Sequence, residues 1–311
     1  MTETCPRIAV LLPCYNEAAA IAQTVADFRT ALPDATIYVY DNNSSDATCE
    51  IARTAGAIVR VERMQGKGNV VRRMFADVEA DIYVMADGDA TYEAAAAPTL
   101  VKQLIDENLD MVVGARKSEV EAAYRRGHRL GNAMLTGMLA RIFGRSFTDI
   151  LSGYRIFSRR FVKSFPVLSS GFEIETEISV HALELRMPVA EQVTAYAARP
   201  EGSESKLNTW RDGFRILNTI LTLFRYERPM QFFGFIAAAF ALMAVILSIP
   251  LLVTYMNTGL VPRFPTAILA TGLMILSALN GMCGMILDTV VRGRLEVRRL
   301  AYLAYPAPSG S

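Results

Sequence analysis

Short apolar runs alternate with helix-length amphipathic stretches through the N-terminal two thirds of the chain. Residues 7–13 (RIAVLLP), 36–40 (TIYVY), 57–62 and 81–86 (DIYVMA) read as strands, followed by a shorter one at 111–113. Near-continuous apolar runs of this length are typical of strands buried on both faces. Helical stretches fall between them at residues 17–32, 45–55, 69–79 and 98–107. This βαβα order predicts an α/β domain with a mostly parallel sheet and helices on both faces. In such sheets ligands bind where strands end and loops begin. The polar clusters stand at those ends: Tyr15-Asn16-Glu17, Asp41-Asn42-Asn43 and Asp87-Gly88-Asp89.

The pattern changes beyond residue 200. Residues 232–255 and 266–287 contain no charged side chain, and each is close to the roughly 20 apolar residues that cross a bilayer core. Pro250, Gly272 and Gly281 are compatible with spanning, because membrane helices tolerate both residue types. The link between the two runs carries only Arg263, whereas the flanks carry Arg225, Arg228, Arg292, Arg294, Arg298 and Arg299. The positive-inside rule therefore predicts a multi-pass inner-membrane protein with both termini and the large domain in the cytoplasm. Residues 206–226 mix Trp210, Phe214 and Leu221 with Arg211, Arg215 and Arg225. They read as an amphipathic helix along the inner leaflet, or as a surface helix packed on the domain. The expected organisation is a cytoplasmic domain (residues 1–200), a lid and juxtamembrane helix (201–230), a transmembrane hairpin (231–290) and a basic cytoplasmic tail (291–311).

Composition narrows the function classes. A chain of 311 residues that is 52% apolar and 20% charged is neither disordered nor purely soluble. A net charge of +1 gives no global attraction to nucleic acid. With only His128 and His181, a His-rich metal site or a His-dependent triad is disfavoured. Cys5, Cys14, Cys49 and Cys283 lack metal-ligand spacing and read as small core residues in a reducing compartment. The first strand begins within a few residues of the N-terminus, which leaves no room for a signal peptide. No GxGxxG follows the first strand and no GxxxxGK[ST] occurs, so dinucleotide and P-loop readings lose support.

Asp87-Gly88-Asp89 is the sharpest local signal. Two carboxylates leaving a buried strand can point hard oxygen ligands at one Mg²⁺ or Mn²⁺, which completes its shell with water and substrate phosphate. A solvated turn would use the same residues. Arg116 follows the fifth strand, and Arg125, Arg126, His128 and Arg129 cluster just beyond it. Guanidinium forks suit phosphate recognition. For Arg125 and Arg126 a basic face against anionic lipid is an equal reading.

Five motifs occur in a fixed order: Pro13-Cys14-Tyr15-Asn16-Glu17, Asp41 with Ser45-Asp46-Ala47-Thr48, Gly66-Lys67-Gly68-Asn69, Asp87-Gly88-Asp89 and Ser152-Gly153-Tyr154-Arg155. The set resembles the family 2 glycosyltransferases of GT-A fold, in the branch of dolichyl-phosphate mannose synthases and bacterial polyprenyl-phosphate glycosyltransferases. That resemblance implies that Pro13, Tyr15, Glu17 and Asp41 frame the nucleotide base and ribose, with Lys67 nearby. It implies that Asp87 and Asp89 hold the metal on the diphosphate. Thr91 stands where relatives often carry a glutamine ligand. On the acceptor side it implies that Arg116 and Arg129 clamp the lipid phosphate with Ser152, and that Lys206 lies at the mouth of that site. Asp149 matches the position usually nominated as catalytic base. A phosphomonoester with a second pKa of about 6 is already largely anionic at neutral pH, so Asp149 serves as a base or as an orienting group. Glu175 is a further candidate for the site.

The implied reaction is inverting transfer of one sugar from a nucleotide diphosphate to undecaprenyl or another polyprenyl phosphate at the cytoplasmic face. The donor is expected to be a UDP-hexose or UDP-N-acetylhexosamine, with GDP-mannose as the alternative. A processive synthase is disfavoured, since Trp210-Arg211 is not a QxxRW motif and two spans cannot enclose a polymer channel. A non-catalytic, membrane-tethered nucleotide-sugar scaffold is the rival from another class. The resemblance also implies a homo-oligomer through the membrane helices, where Gly272, Ser277, Ala278 and Gly281 permit close packing.

Overall fold

The computed structural model describes residues 6–117, 137, 147–169, 171, 173–197, 221–222 and 224–308. Arg125, Arg126, His128, Arg129, Lys206 and most of the segment at 206–226 lie outside the described residues. Two compact units emerge, one of residues 1–216 and 298–311, the other of residues 217–297.

Among the described residues the first unit is built on a seven-stranded sheet: β1 (Ile8–Cys14), β2 (Thr36–Asp41), β3 (Ile58–Val61), β4 (Ile82–Met85), β5 (Met111–Lys117), β6 (Arg155–Ser158) and β7 (Val189–Ala195). Their spatial order is β3-β2-β1-β4-β6-β5-β7. Every pairing is parallel except the two made by β6, so a single reversed strand stands among six that share a direction. The chain leaves β1 toward β2 on one side and returns to pair β4 on the other. The loops after β1, β2 and β4 therefore open at one topological switch point.

Two of the helices pack with one apolar face each. In α1 (Ile21–Ala31) the buried residues are Ile21, Thr24, Val25 and Phe28; in α4 (Ala97–Asp106) they are Ala97, Leu100, Val101 and Leu104. Both sets follow the i, i+3, i+4, i+7 spacing of an amphipathic helix. The helices α2 (Thr48–Thr54), α3 (Lys67–Asp77), α5 (Arg159–Ser164) and α6 (Ile174–Glu184) also lie among the described residues of this unit.

Two helices start later than the periodicity predicts, for a shared reason. Asp46 accepts the Thr48 amide at 3.0 Å and the Ala18 amide at 3.1 Å, while the Thr48 hydroxyl accepts the Glu17 amide at 2.9 Å. These side chains hold residues 17–20 and 45–47 as turns, a local competition that Asp and Thr commonly win against a helix. The fifth strand runs to Lys117 rather than ending at Val113, because its second half pairs with β7.

The second unit contains α7 (Pro229–Thr258) and most of α8 (Phe264–Leu303). Both are long and apolar enough to cross a membrane. Among their described residues only Pro229, Ala244, Ala270, Leu273 and Gly284 are buried, which argues against core helices of a soluble fold. Ser277 Oγ donates to the Ala237 carbonyl at 2.8 Å, and a β-carbon on Gly284 would lie 3.2 Å from that of Phe233. Advancing along α8 thus means retreating along α7, as in an antiparallel hairpin.

The last turn of α8 belongs to the first unit. Arg298 pairs with Glu184, and the Tyr302 hydroxyl donates to Asp110 Oδ2 at 2.8 Å. Asp110 is fully buried and also accepts from Ser158 Oγ and the Arg160 guanidinium. His181 lies beside this junction, with Nε2 3.1 Å from Ser164 Oγ and its ring against Phe161 and Phe165.

Burial, aided by the Arg298 charge, pushes the His181 pKa from 6.5 down to about 3. The imidazole is therefore neutral in the fold. As pH falls below 6.5 the unfolded chain binds a proton there and the folded chain does not, so stability drops until pH nears 3. A His181→Gln variant is expected to lose stability less steeply across that window. Parallel acid limbs for parent and variant in a thermal-unfolding series would refute this account.

Candidate active site

The switch point gathers the first three polar clusters. Asp41 closes β2 and is buried; its Oδ2 accepts the Ser44 amide at 3.0 Å. Among the described residues its Oδ1 is buried with no hydrogen-bond partner. A buried carboxylate oxygen without a donor is costly unless a ligand supplies one. Asn16 locks the neighbouring loops together: its amide donates to Ser44 Oγ and its Oδ1 accepts the Ser45 amide, both at 2.8 Å. Pro13 is buried within β1, whereas Tyr15 stands 38% exposed just beyond it. Glu17 follows on the same turn. Asn42 bridges to the loop before α3, accepting the Gly66 amide at 2.7 Å and donating to the Glu62 and Met64 carbonyls.

That loop delivers Lys67. Its Nζ lies 2.5 Å from Asp87 Oδ1 and 2.7 Å from Glu175 Oε1, with the side chain only 10% exposed. Burial by itself lowers the Lys67 pKa, but Asp87 and then Glu175 outweigh it and hold the ammonium above its ordinary value. Asp89, on the other side of Gly88, is buried and accepts from the Thr91 hydroxyl at 2.6 Å and the Thr91 amide at 3.2 Å. Thr91 therefore orients Asp89. Among the described residues no cluster of three or more His, Cys, Asp or Glu side chains could hold a metal. The carboxylates of Asp87 and Asp89 are hard oxygen donors of the kind that Mg²⁺ or Mn²⁺ takes together with substrate phosphate and water.

The second half of the site is organised by the loop at 149–154. Arg116 lies within β5, paired with Thr194, and its Nε and Nη2 donate to the two Asp149 oxygens at 2.6 and 2.8 Å. The guanidinium also stands over the Tyr196 ring, 5.5 Å from its centroid. Ser152 is fully buried and donates to the Gly114 carbonyl at 2.6 Å, fastening the loop to β5. Gly153 follows, its amide donating to Tyr92 Oη at 2.9 Å. A β-carbon there would lie 2.9 Å from Asp87 Oδ2 and 3.1 Å from Lys67 Nζ.

Thus Lys67, Asp87 and Glu175 form one cluster, Arg116 and Asp149 another, and Gly153 touches the first from the loop that carries the second. Glu191 and Tyr92 escaped the sequence reading. Glu191 accepts the Thr148 and Asp149 amides from β7, which carries no motif. Tyr92 does follow directly on the Asp87 to Thr91 segment and could have been found there.

Residues 9–165 match the sequence profile of glycosyl transferase family 2, half of the chain. The chain belongs to that family. Glycosyltransferase AglJ of Haloferax volcanii is 37% identical over 250 residues, covering 80% of this chain and 81% of the relative. A dolichyl-phosphate hexose transferase of the same organism is 27% identical over 73% of this chain and 99% of its own length. Dolichol-phosphate mannosyltransferase of Pyrococcus furiosus is 26% identical over 71% of this chain and 64% of its length. Among solved structures, glucosyl-3-phosphoglycerate synthase of Mycobacterium tuberculosis in complex with Mn²⁺, UDP-glucose and phosphoglyceric acid superposes with a TM-score of 0.57. It is 24% identical and covers 70% of this chain and 79% of that one. The likeness establishes the GT-A type fold of this family 2 glycosyltransferase.

The transferase has no space for a side chain between its two aspartates. A β-carbon on Gly88 would lie 2.3 Å from Cys14 Sγ, with Ile21 and the Pro13 carbonyl at ordinary contact distance. Gly88→Ala is expected to destabilise the domain by about 1–3 kcal/mol through overpacking. Cys14→Ala/Gly88→Ala should recover most of that loss, as read by denaturant unfolding. A double variant as unstable as Gly88→Ala would show that the thiol is not the obstacle.

Proposed function

We propose that this family 2 glycosyltransferase moves a single sugar from a nucleotide diphosphate to a polyprenyl phosphate at the cytoplasmic membrane face. The observation that carries the reading is the 149–154 loop, which ties the Lys67–Asp87 cluster to the Arg116–Asp149 pair. Donor chemistry and acceptor chemistry would then share one short segment. The dolichyl-phosphate acceptors in the names of two relatives support a lipid phosphate.

On this reading Asp41, with its unpartnered buried oxygen, receives a donor group from the nucleotide, and Pro13, Tyr15 and Glu17 frame the base and ribose. Asp87 and Asp89 are the ligands for Mg²⁺ or Mn²⁺, which when bound stabilises charge on the departing nucleotide diphosphate. Arg116 faces the acceptor phosphate, joined by Arg129 and Lys206. The acceptor's phosphate oxygen forms the new bond to the anomeric carbon as the bond to the nucleotide diphosphate breaks, with inversion. That oxygen is already largely deprotonated at neutral pH, because the second pKa of a phosphomonoester is about 6. Both Asp149 oxygens are engaged by Arg116, so Asp149 orients the guanidinium rather than removing a proton. Ser152 secures the loop through Gly114.

The hairpin of α7 and α8 spans the membrane, with the Arg-rich flanks on the cytoplasmic side. Holding enzyme and lipid in one plane raises their encounter frequency. A UDP-hexose or UDP-N-acetylhexosamine is the donor in this reading; GDP-mannose is the alternative, its sugar matching the mannosyltransferase name of the Pyrococcus relative.

Incubating the purified full chain with undecaprenyl phosphate, Mg²⁺ or Mn²⁺ and a panel of UDP- and GDP-sugars tests the proposal by mass spectrometry of the lipid. One glycosylated lipid is expected, with its yield falling about 100-fold or more in Asp89→Ala. Nucleotide binding with no lipid product from any donor would favour a scaffold instead.

A further inference from the structure

The ammonium of Lys67 occupies an unusual position for a group beside a cation site. It contacts Asp87 Oδ1 on one side and Glu175 Oε1 on the other, and the Gly153 backbone closes the space next to it. One of the two carboxylates available to a divalent ion is therefore already neutralised by a cation of the chain. The second, Asp89, has an oxygen engaged by Thr91. With no third acidic or imidazole ligand in a cluster among the described residues, the protein alone offers a divalent ion little. A doubly charged ion arriving at Asp87 would meet the repulsion of a buried ammonium on the same carboxylate, where screening by solvent is weak.

A donor diphosphate changes that balance. It brings hard oxygens for the ion and a second set of anionic partners for Lys67, whose four-carbon stem allows the ammonium to turn from one to the other. We propose that Lys67 is an internal counter-ion that competes with the divalent metal for Asp87, so that metal binds tightly only together with the nucleotide diphosphate. Glu175 is the positioning residue of this device, holding the ammonium beside Asp87 when no donor is present. The inference rests on the nucleotide-sugar reading above. Because coupling between two ligands is reciprocal, the nucleotide should gain from the metal the same factor that the metal gains from the nucleotide.

The test is a direct measurement of Mn²⁺ binding by electron paramagnetic resonance on the full-length protein, alone and with saturating UDP or GDP. The parent chain should bind Mn²⁺ weakly alone and at least about tenfold more tightly with the nucleotide. Lys67→Met should raise the affinity for Mn²⁺ alone at least about tenfold and shrink the coupling, while Lys67→Arg keeps the parent behaviour. Removing Lys67 leaves Asp87 and Glu175 without their cation. The double variant Lys67→Met/Glu175→Gln relieves that charge and should show the same gain. Circular dichroism of each variant confirms the fold. Unchanged or weaker binding of Mn²⁺ alone in both folded methionine variants overturns the counter-ion role and leaves the transferase reading standing. Failure of the parent chain to bind UDP or GDP with either Mn²⁺ or Mg²⁺ overturns both.

Discussion

A buried ammonium is tolerated only where its desolvation is offset by well-placed anions, and that requirement fixes much of this domain. Lys67 needs Asp87 at the end of β4 and Glu175 in the first turn of α6 to arrive at the same place. Those groups lie far apart in sequence, so the sheet order and the seating of α6 must both be correct before the pair can form. The same spot demands glycine at position 153, because a β-carbon there would press on both Asp87 and Lys67. Breaking one side of such an arrangement leaves an uncompensated charge, which is why a buried ion network of this type specifies geometry more than it adds stability.

A second buried cation extends the same logic to the half of the site that carries Arg116 and Asp149. Arg155 is fully buried, and no carboxylate lies within ion-pair distance of it among the described residues. Burial pushes its pKa down to about 10. Its guanidinium donates instead to the Ser152 carbonyl at 2.9 Å, the Ile150 carbonyl at 2.5 Å and Ser179 Oγ at 2.9 Å. Ser179 in turn donates to the Glu175 carbonyl. One planar fork thus shapes the loop carrying Asp149 and joins it to the helix carrying Glu175. Lysine, a point charge without fixed donor directions, could not satisfy the same three acceptors in this geometry.

Much of this was legible in the chain. β1, β2 and β4 read correctly because they are buried runs whose apolar character does not depend on their partners, whereas β3, expected to be buried on both faces, is largely exposed. Asp41, Asp87 and Asp89 stood out because they end such runs. β6 and β7 were not legible: β6 is four residues long, and β7 pairs along the outer side of β5, with most of its residues only partly buried. The helix starts at 17 and 45 misled because the Asp46 and Thr48 side chains act across two loops, a tertiary effect with no periodic signature. Glu175 was visible only as one of three glutamates around a helix start, where the dipole alone would account for it. Its pairing with Lys67 depends on the fold.

The departure at Thr91 and the pairing of Arg116 with Asp149 lead to one physical view of the centre. Where the resemblance suggests a glutamine that could ligate metal, this chain has a hydroxyl that donates to Asp89. A hydroxyl proton directed at a carboxylate fixes its orientation without adding a ligand. Likewise Asp149 uses both oxygens to fix a guanidinium. In each half of the site, then, a side chain is used to hold another in place before substrate arrives. Such preorganisation lowers the reorganisation needed at the moment of reaction. It suits the proposed reaction, in which nucleophile and leaving group are both phosphates and the placement of charges matters more than proton transfer.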